Sequence, residues 1–253
     1  MQEKLFTKDF TMVVIGQVIS LFGNAAIRFA LPLYLLNQTG SAMLYGIVTA
    51  CAFIPSVLLS PVGGIVADRV NKKNIMVVLD FFTAAVIAVF ALLKGGVSLV
   101  PLLTATLMLL YGIAGAYQPS VQASIPALVG REHFMAANSV IQTISSFSSL
   151  LGPVIGGVLY GVYGLELVLW ICIICFLTSA VMEIFIKIPF KKQASGSSIW
   201  ETVKSDFGES LRFIRKEKPI VGKGVLVAFG INLFMSSMLM VGMPYIITEV
   251  LDL

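Results

Sequence analysis

Charge is what this sequence has least of. Only 12% of its 253 residues are Asp, Glu, Lys or Arg, against 58% hydrophobic, and the mean hydropathy is +0.96. So few charges cannot solvate the surface of a water-soluble domain of this length, which excludes the soluble classes and leaves a polytopic membrane protein. Histidine occurs once, as His133, in a polar loop where an imidazole is ordinarily a solvated side chain; no chemistry is assigned to it. The three cysteines, Cys51, Cys172 and Cys175, all fall inside apolar runs. Redox or zinc chemistry at the C-x-x-C of Cys172 would need accessible thiolates and further ligands, and neither is present. Nucleophile, base and orienting group do not converge anywhere, so an enzyme is the least favoured class, and nothing calls for a cofactor or metal. The short alternating segments of a β-barrel are also missing.

What the sequence has is long apolar runs. Seven are visible, near residues 10–36, 43–66, 74–94, 98–121, 138–160, 165–187 and 220–248, each long enough to cross a hydrocarbon core of roughly 30 Å. The expected fold is all-α, because a chain in lipid must close its backbone hydrogen bonds within helices. The first run follows Lys4 and Lys8 but stays apolar to Leu36, too far for a cleaved signal segment. Of the 17 Lys and Arg residues, fifteen lie in the amino-terminal tail and the loops on its side of the membrane. Lys94 is the single one on the other side, and Arg28 lies within a span. This split predicts a cytoplasmic amino terminus and lipid, not nucleic acid, as the partner of the net +4 charge.

The eleven residues from Gly63 to Lys73, GGIVADRVNKK, are the markedly polar punctuation between the second and third runs. Gly63 and Gly64 end the second span with bare backbone that lets a neighbouring helix approach. Asp68 and Arg69 are adjacent, so they reach different partners, and Asn71 either adopts a left-handed conformation or caps the third span. Gly64, Asp68, Arg69, Asn71, Lys72 and Lys73 resemble the signature between spans two and three of the major facilitator superfamily of transporters, with Asn71 where the family has glycine. The resemblance implies two six-span bundles that rock about a substrate path, with Asp68 and Arg69 as a latch on the cytoplasmic side.

Within the first span, Gly16, Ser20, Asn24 and Arg28 recur four apart, with Gln17 alongside, so one stripe faces away from lipid. Arg28 is the costliest residue: it faces an aqueous cavity or buried partner, the favoured reading, or snorkels to the outer interface. Asp80, in the third span, is the other intramembrane charge. Span five repeats Asn138, Gln142, Ser145, Ser149, Gly152 and Gly156 at spacings of three and four, with Pro153 inside. Leu151 to Gly161, through Gly152, Pro153, Gly156 and Gly157, resembles the fifth-span motif of the antiporter branches of the same superfamily. The segments IPALVGREHFMAAN and ALPLYLLNQTGS resemble its macrolide-efflux branch. Branches with proton-driven drug antiport usually place an arginine in span four; none occurs between Val97 and Ser124, which counts against proton coupling but not against the transporter fold.

The expected organisation is a six-span bundle over 1–188, a cytoplasmic connector over 189–218 and the first span of a second bundle over 219–253. In the connector, Trp200, Val203, Phe207, Leu211 and Ile214 recur at helical spacing among Lys204, Arg212, Arg215 and Lys216, an amphipathic basic helix suited to an anionic leaflet. The last run carries Asn232 and Ser236 on one face, with Met235, Met238, Met240 and Met243 nearby, side chains that adapt to varied apolar partners. Seven spans fit the resemblance as a fragment that lacks the rest of a second bundle. The function it implies is gradient-driven efflux of an apolar or amphipathic small molecule, macrolide-like, across a bacterial plasma membrane; their position on polar faces sets Asn24, Arg28, Gln142 and Asn232 along the expected path. Two rivals are a seven-span receptor or photoreceptor and a lipid scramblase or passive scaffold. Receptors of that kind face the amino terminus outward, and a retinal protein needs a lysine deep in span seven, where Lys223 lies only at the entrance.

Overall fold

The structure, a computed structural model, describes residues 5–188 and 199–237. It divides into two compact units, Met1–Ser195 and Gly196–Leu253, each taken here by itself.

In the first unit the apolar runs become α1 (Lys8–Thr39), α2 (Ala42–Arg69), α3 (Lys72–Leu93), α4 (Leu99–Leu128) and α5 (Phe134–Ile184), with a 3-10 turn at Arg131–His133. No described residue lies in a strand. Polar side chains set the helix starts: Thr7, Ser41 and Asn71 accept from the backbone N–H groups of Phe10, Leu44 and Lys73. Gly40 closes α1 in the left-handed conformation, φ 64°, with its N–H donating to Leu36 O.

All five helices are long and apolar enough to span a membrane, and α5 is long enough to do so twice. Its regular dihedrals break at Gly164, φ 75° and ψ −179°, a conformation open to glycine and costly for other residues. Both limbs of α5 lie along α1. A Cβ on Gly156 would stand 2.8 Å from Ala26 Cα, while one on Gly23 would stand 3.4 Å from Cys175 Cβ and from Phe176. The chain therefore doubles back at Gly164, and the unit holds six spans. Pro32, Pro55, Pro61, Pro119, Pro126 and Pro153 all sit inside these helices without ending them.

Glycine sets how closely the helices approach. A Cβ on Gly63 would lie 2.6 Å from Ala116 Cα and one on Gly115 2.8 Å from Ser56 O, so α2 and α4 touch backbone to backbone. Gly64, by contrast, has nothing within 4 Å of its Cβ direction. In the fifth-span motif, Gly152 meets Ala25, Gly156 meets Ala26 and Gly157 meets the Phe29 ring, which fits that limb to α1.

Two apolar cores form along the bundle. One gathers Ile27, Leu31, Ile87, Phe90, Leu107 and Phe176, and the other Phe10, Val13, Met76, Val121, Ile125 and Ile141. Between them, on each of α1, α3 and α5, lie buried polar residues: Gln17 and Ser20, Asp80 and Thr83, Ser179 and Glu183. Val57, Leu58, Leu92, Leu150 and Val154 stay exposed, an apolar exterior suited to lipid. At one end of the bundle Lys94 pairs with Glu166, and at the other Asp9 accepts from the backbone N–H of Lys187.

The second unit holds α6 (Ile199–Arg212), a wide turn at Phe213–Glu217 and α7 (Pro219–Ser237). Proline at the first position of α7 needs no helical N–H. The end of the expected seventh span, with Met238, Met240 and Met243, lies outside the described residues.

Replacement of Gly115 by Val forces α2 from α4 and lowers stability by about 1–3 kcal/mol, the usual cost of overpacking. Gly64→Ala, with open space, leaves stability unchanged or raises it; thermal unfolding of the detergent-solubilised protein compares the two.

Candidate functional site

Asn24, Arg28 and Gln142 line one cavity of about 390 Å³, set among α1, α4 and the first limb of α5. Gln118 and Gln122 from α4 and Ser145 and Ser149 from α5 complete its polar wall, and Leu21, Ala25 and Ala114 supply apolar surface. The four-residue spacing of Asn24 and Arg28 places both on the same face of α1.

Arg28 does not reach along the helix to an interface. Its Nη2 donates to the backbone carbonyl of Leu110 at 3.0 Å, and its guanidinium carbon stands 4.0 Å from the centroid of the Tyr111 ring. A carbonyl and an aromatic face both favour a cation within a low-dielectric bundle. Its Nε is buried without a hydrogen-bond partner among the described residues. Asn24 Nδ2 is occupied by Ser20 O at 3.1 Å, one turn back in α1. No carboxylate lines the cavity among the described residues, so its wall offers mainly donors and amides.

Asn232 lies in the second unit, where its Nδ2 donates to Ala228 O at 3.0 Å in its own helix. The structure therefore brings together three of the four residues expected along the path. At the α2–α3 turn, Asn71 takes the capping role, with φ −61° and its side chain accepting from Lys73 N at 3.1 Å, so the left-handed alternative does not occur. Arg69 is the last residue of α2, and Lys72 and Lys73 open α3. The Asp68 side chain lies outside the described ones.

Asp80 does not share Arg28's surroundings. It is 2% exposed, lies beside Ser179 of the second limb of α5, and is within electrostatic reach of Glu183 of that limb and of Tyr117 of α4. Tyr117 OH donates to Glu183 Oε1 at 2.6 Å and accepts from Gln17 Nε2 at 2.7 Å. Ser179 Oγ donates to Gly16 O at 3.2 Å, which holds α5 against α1. Tyr117 also lines the cavity, so one side chain joins the two polar regions. The sequence reading does not single out Glu183 or Tyr117. A signal for Glu183 is present: it lies four residues after Ser179, on one face of an otherwise apolar span, and a carboxyl there has no water to face.

A sequence model of the Major Facilitator Superfamily matches residues 13–253. The chain belongs to the major facilitator superfamily. It is 26% identical to macrolide efflux protein A of Streptococcus pyogenes over 181 residues, which cover 71% of this chain and 45% of that protein. It is 23% identical to the multidrug efflux pump Tap of Mycolicibacterium fortuitum over 198 residues, 76% of this chain and 48% of that one. The chain thus spans about half the length of the curated relatives it matches. Its fold is similar to that of a bacterial homologue of the iron transporter ferroportin, solved in an outward-facing state with soaked iron. That likeness has a TM-score of 0.56 and 22% identity, and covers 70% of this chain and 49% of the other. Its long apolar helices are those of a multi-pass helical membrane protein, as membership of the superfamily implies.

Removal of the Tyr117 hydroxyl in Tyr117→Phe leaves the Gln17 amide and the Glu183 carboxyl without their shared partner. The expected cost is about 1–3 kcal/mol, read as a lower denaturation midpoint of the purified protein.

Proposed function

We propose that this chain forms one bundle of a carrier that exports apolar or amphipathic small molecules by alternating access, powered by an ion gradient, with its amino terminus in the cytoplasm. The observation that carries this reading is the cavity: one face of α1 gives Asn24 and Arg28, the first limb of α5 gives Gln142, and among the described residues no carboxylate lines the wall beside the guanidinium. Such a wall suits an oxygen-rich molecule whose acceptors meet Arg28 and the amides while its apolar surface meets Leu21, Ala25 and Ala114. A macrolide-like ligand fits that description, and the names of the relatives from Streptococcus pyogenes and Mycolicibacterium fortuitum support it.

The match to about half of each relative supports a second bundle facing this one, with residues 189–218 as connector and Asn232 contributing from the last helix. Rocking of the two bundles exposes the cavity to each side in turn. Asp68 and Arg69, at the end of α2, act as the latch of the cytoplasmic side, with Lys72 and Lys73 holding that turn at the inner surface.

The test is uptake of a macrolide into inverted membrane vesicles that carry the complete transporter. The wild type accumulates it. Arg28→Ala and Gln142→Ala each raise the half-saturation concentration about tenfold, a loss of about 1.4 kcal/mol of binding, while Asp68→Ala slows turnover at unchanged half-saturation. Uptake no greater than in vesicles without the protein contradicts the proposal.

A further inference from the structure

The cavity holds one formal charge and nothing to balance it. Arg28 is the single Asp, Glu, Lys or Arg among the described residues that line it, and the other polar wall residues are neutral amides, hydroxyls and a phenol. A guanidinium keeps its proton throughout the physiological range, so this positive charge is permanent. Asp80 and Glu183 do not line the cavity; they are 2% and 1% exposed. The last apolar run brings no acid either, since residues 219–248 contain neither Asp nor Glu.

What already holds Arg28 leaves donors in want of an acceptor. Its Nη2 donates to Leu110 O at 3.0 Å, yet a guanidinium carries five N–H groups, and Nε is buried without a partner among the described residues. Ser148 Oγ, also of the cavity wall, is buried without one too. A carboxylate or phosphate ester meets that need better than a neutral oxygen. A hydrogen bond between two ions is the stronger one, and the oxyanion can accept two N–H groups of the planar fork at once.

The same geometry turns a cation away. The guanidinium carbon stands 4.0 Å from the centroid of Tyr111, so the aromatic face that would attract an ammonium is taken, and Phe53 packs edge-on with that ring at 4.7 Å between centroids. Tyr117, the one aromatic residue on the wall among the described residues, is 4% exposed. An amine-bearing ligand therefore gives up its hydration beside a fixed cation and meets neither a carboxylate nor an open ring in return.

We propose that Arg28 sets the charge selectivity of the cavity: its ligand carries an acidic group, a carboxylate or phosphate ester, that seats on the guanidinium while the apolar part meets Leu21, Ala25 and Ala114. That this ligand is cargo rests on the efflux reading; the preference for acid over amine does not. Neutral oxygen-rich ligands, macrolide-like lactones among them, rank between the acids and the amines. Tyr111 does not line the cavity and acts as a positioning residue for the guanidinium.

Three probes of one shape test this: naphthalene-2-carboxylate, naphthalene-2-carboxamide and 2-naphthylmethylammonium, each radiolabelled and dialysed to equilibrium against the purified complete transporter. At neutral pH the wild type binds the carboxylate about tenfold tighter than the amide, and the ammonium weakest. Arg28→Gln removes the advantage of the carboxylate and raises the ammonium to at least equal affinity, because the Tyr111 face is uncovered. Arg28→Lys keeps the charge and retains the order acid, amide, ammonium. Wild-type binding of the ammonium as tight as that of the carboxylate overturns the proposal without recourse to any variant, and covers the case in which an acid of a second bundle neutralises Arg28. Binding of none of the three above a protein-free micelle control also overturns it, as does an acid preference undiminished in Arg28→Gln. Acetate at the same concentration displaces none of the bound carboxylate, for want of apolar surface. Displacement equal to that by unlabelled naphthalene-2-carboxylate reduces the site to one for any small anion and overturns the amphipathic assignment. The order acid, amide, ammonium in a transporter whose vesicles take up no macrolide counts against efflux alone.

Discussion

A polar side chain that enters hydrocarbon must find its partner inside the protein, and α1 is where this chain meets that constraint most fully. Its stripe of small and polar residues turns inward along the whole bundle. Gln17 and Ser20 join the layer that holds Asp80 and Glu183, while Asn24 and Arg28, a turn or two later, face the cavity. The glycines opposite make this possible. Gly152 and Gly156 bring one limb of α5 against Ala25 and Ala26, while Gly23 and Gly16 of α1 admit the other limb. The placement of α1 thus sets the geometry of the cavity and of the carboxyl layer together.

The two regions divide the chemistry between them. The cavity has a cation and several amides but no acid, and the layer behind it has two acids but no Lys or Arg acting on them among the described residues. Opposite charges that met would neutralise each other as a static pair. Here Arg28 is held instead by the carbonyl of Leu110 and the ring of Tyr111. Tyr117 is the side chain that both regions share.

The family and the helical fold were legible because they rest on properties of long stretches. Charge-poor runs mark the spans, and the cluster from Asp68 to Lys73 marks the turn between the second and third. The break near residue 164 was legible as a loop between apolar runs, although the helix there is continuous except for one glycine. Polar faces also picked out Asn24, Arg28, Gln142 and Asn232, of which the fold sets the first three around one cavity. Features that depend on which helix lies opposite were not legible. The same glycine pair reads alike in sequence, yet a Cβ on Gly63 would run into Ala116 and one on Gly64 would meet nothing. Asn71 allowed two backbone conformations, and only the cap geometry chose between them. Glu183 stands inside an apolar run, but its partner Tyr117, and Gln17 beyond it, become visible only when α4 and α1 close around it.

The packing of α1 against the second limb of α5 is the contact on which the cavity and the carboxyl layer both rest. Its most direct measurement is cross-linking of Gly23→Cys to the native Cys175 in a Cys51→Ser, Cys172→Ser background. A Cβ at position 23 stands 3.4 Å from Cys175 Cβ, close to the separation a disulfide spans. Mild oxidation of the membrane-embedded protein should join the two thiols within one chain, seen as a linked peptide pair by mass spectrometry. Recovery of both thiols free, or of links only between separate chains, would contradict this arrangement of α1.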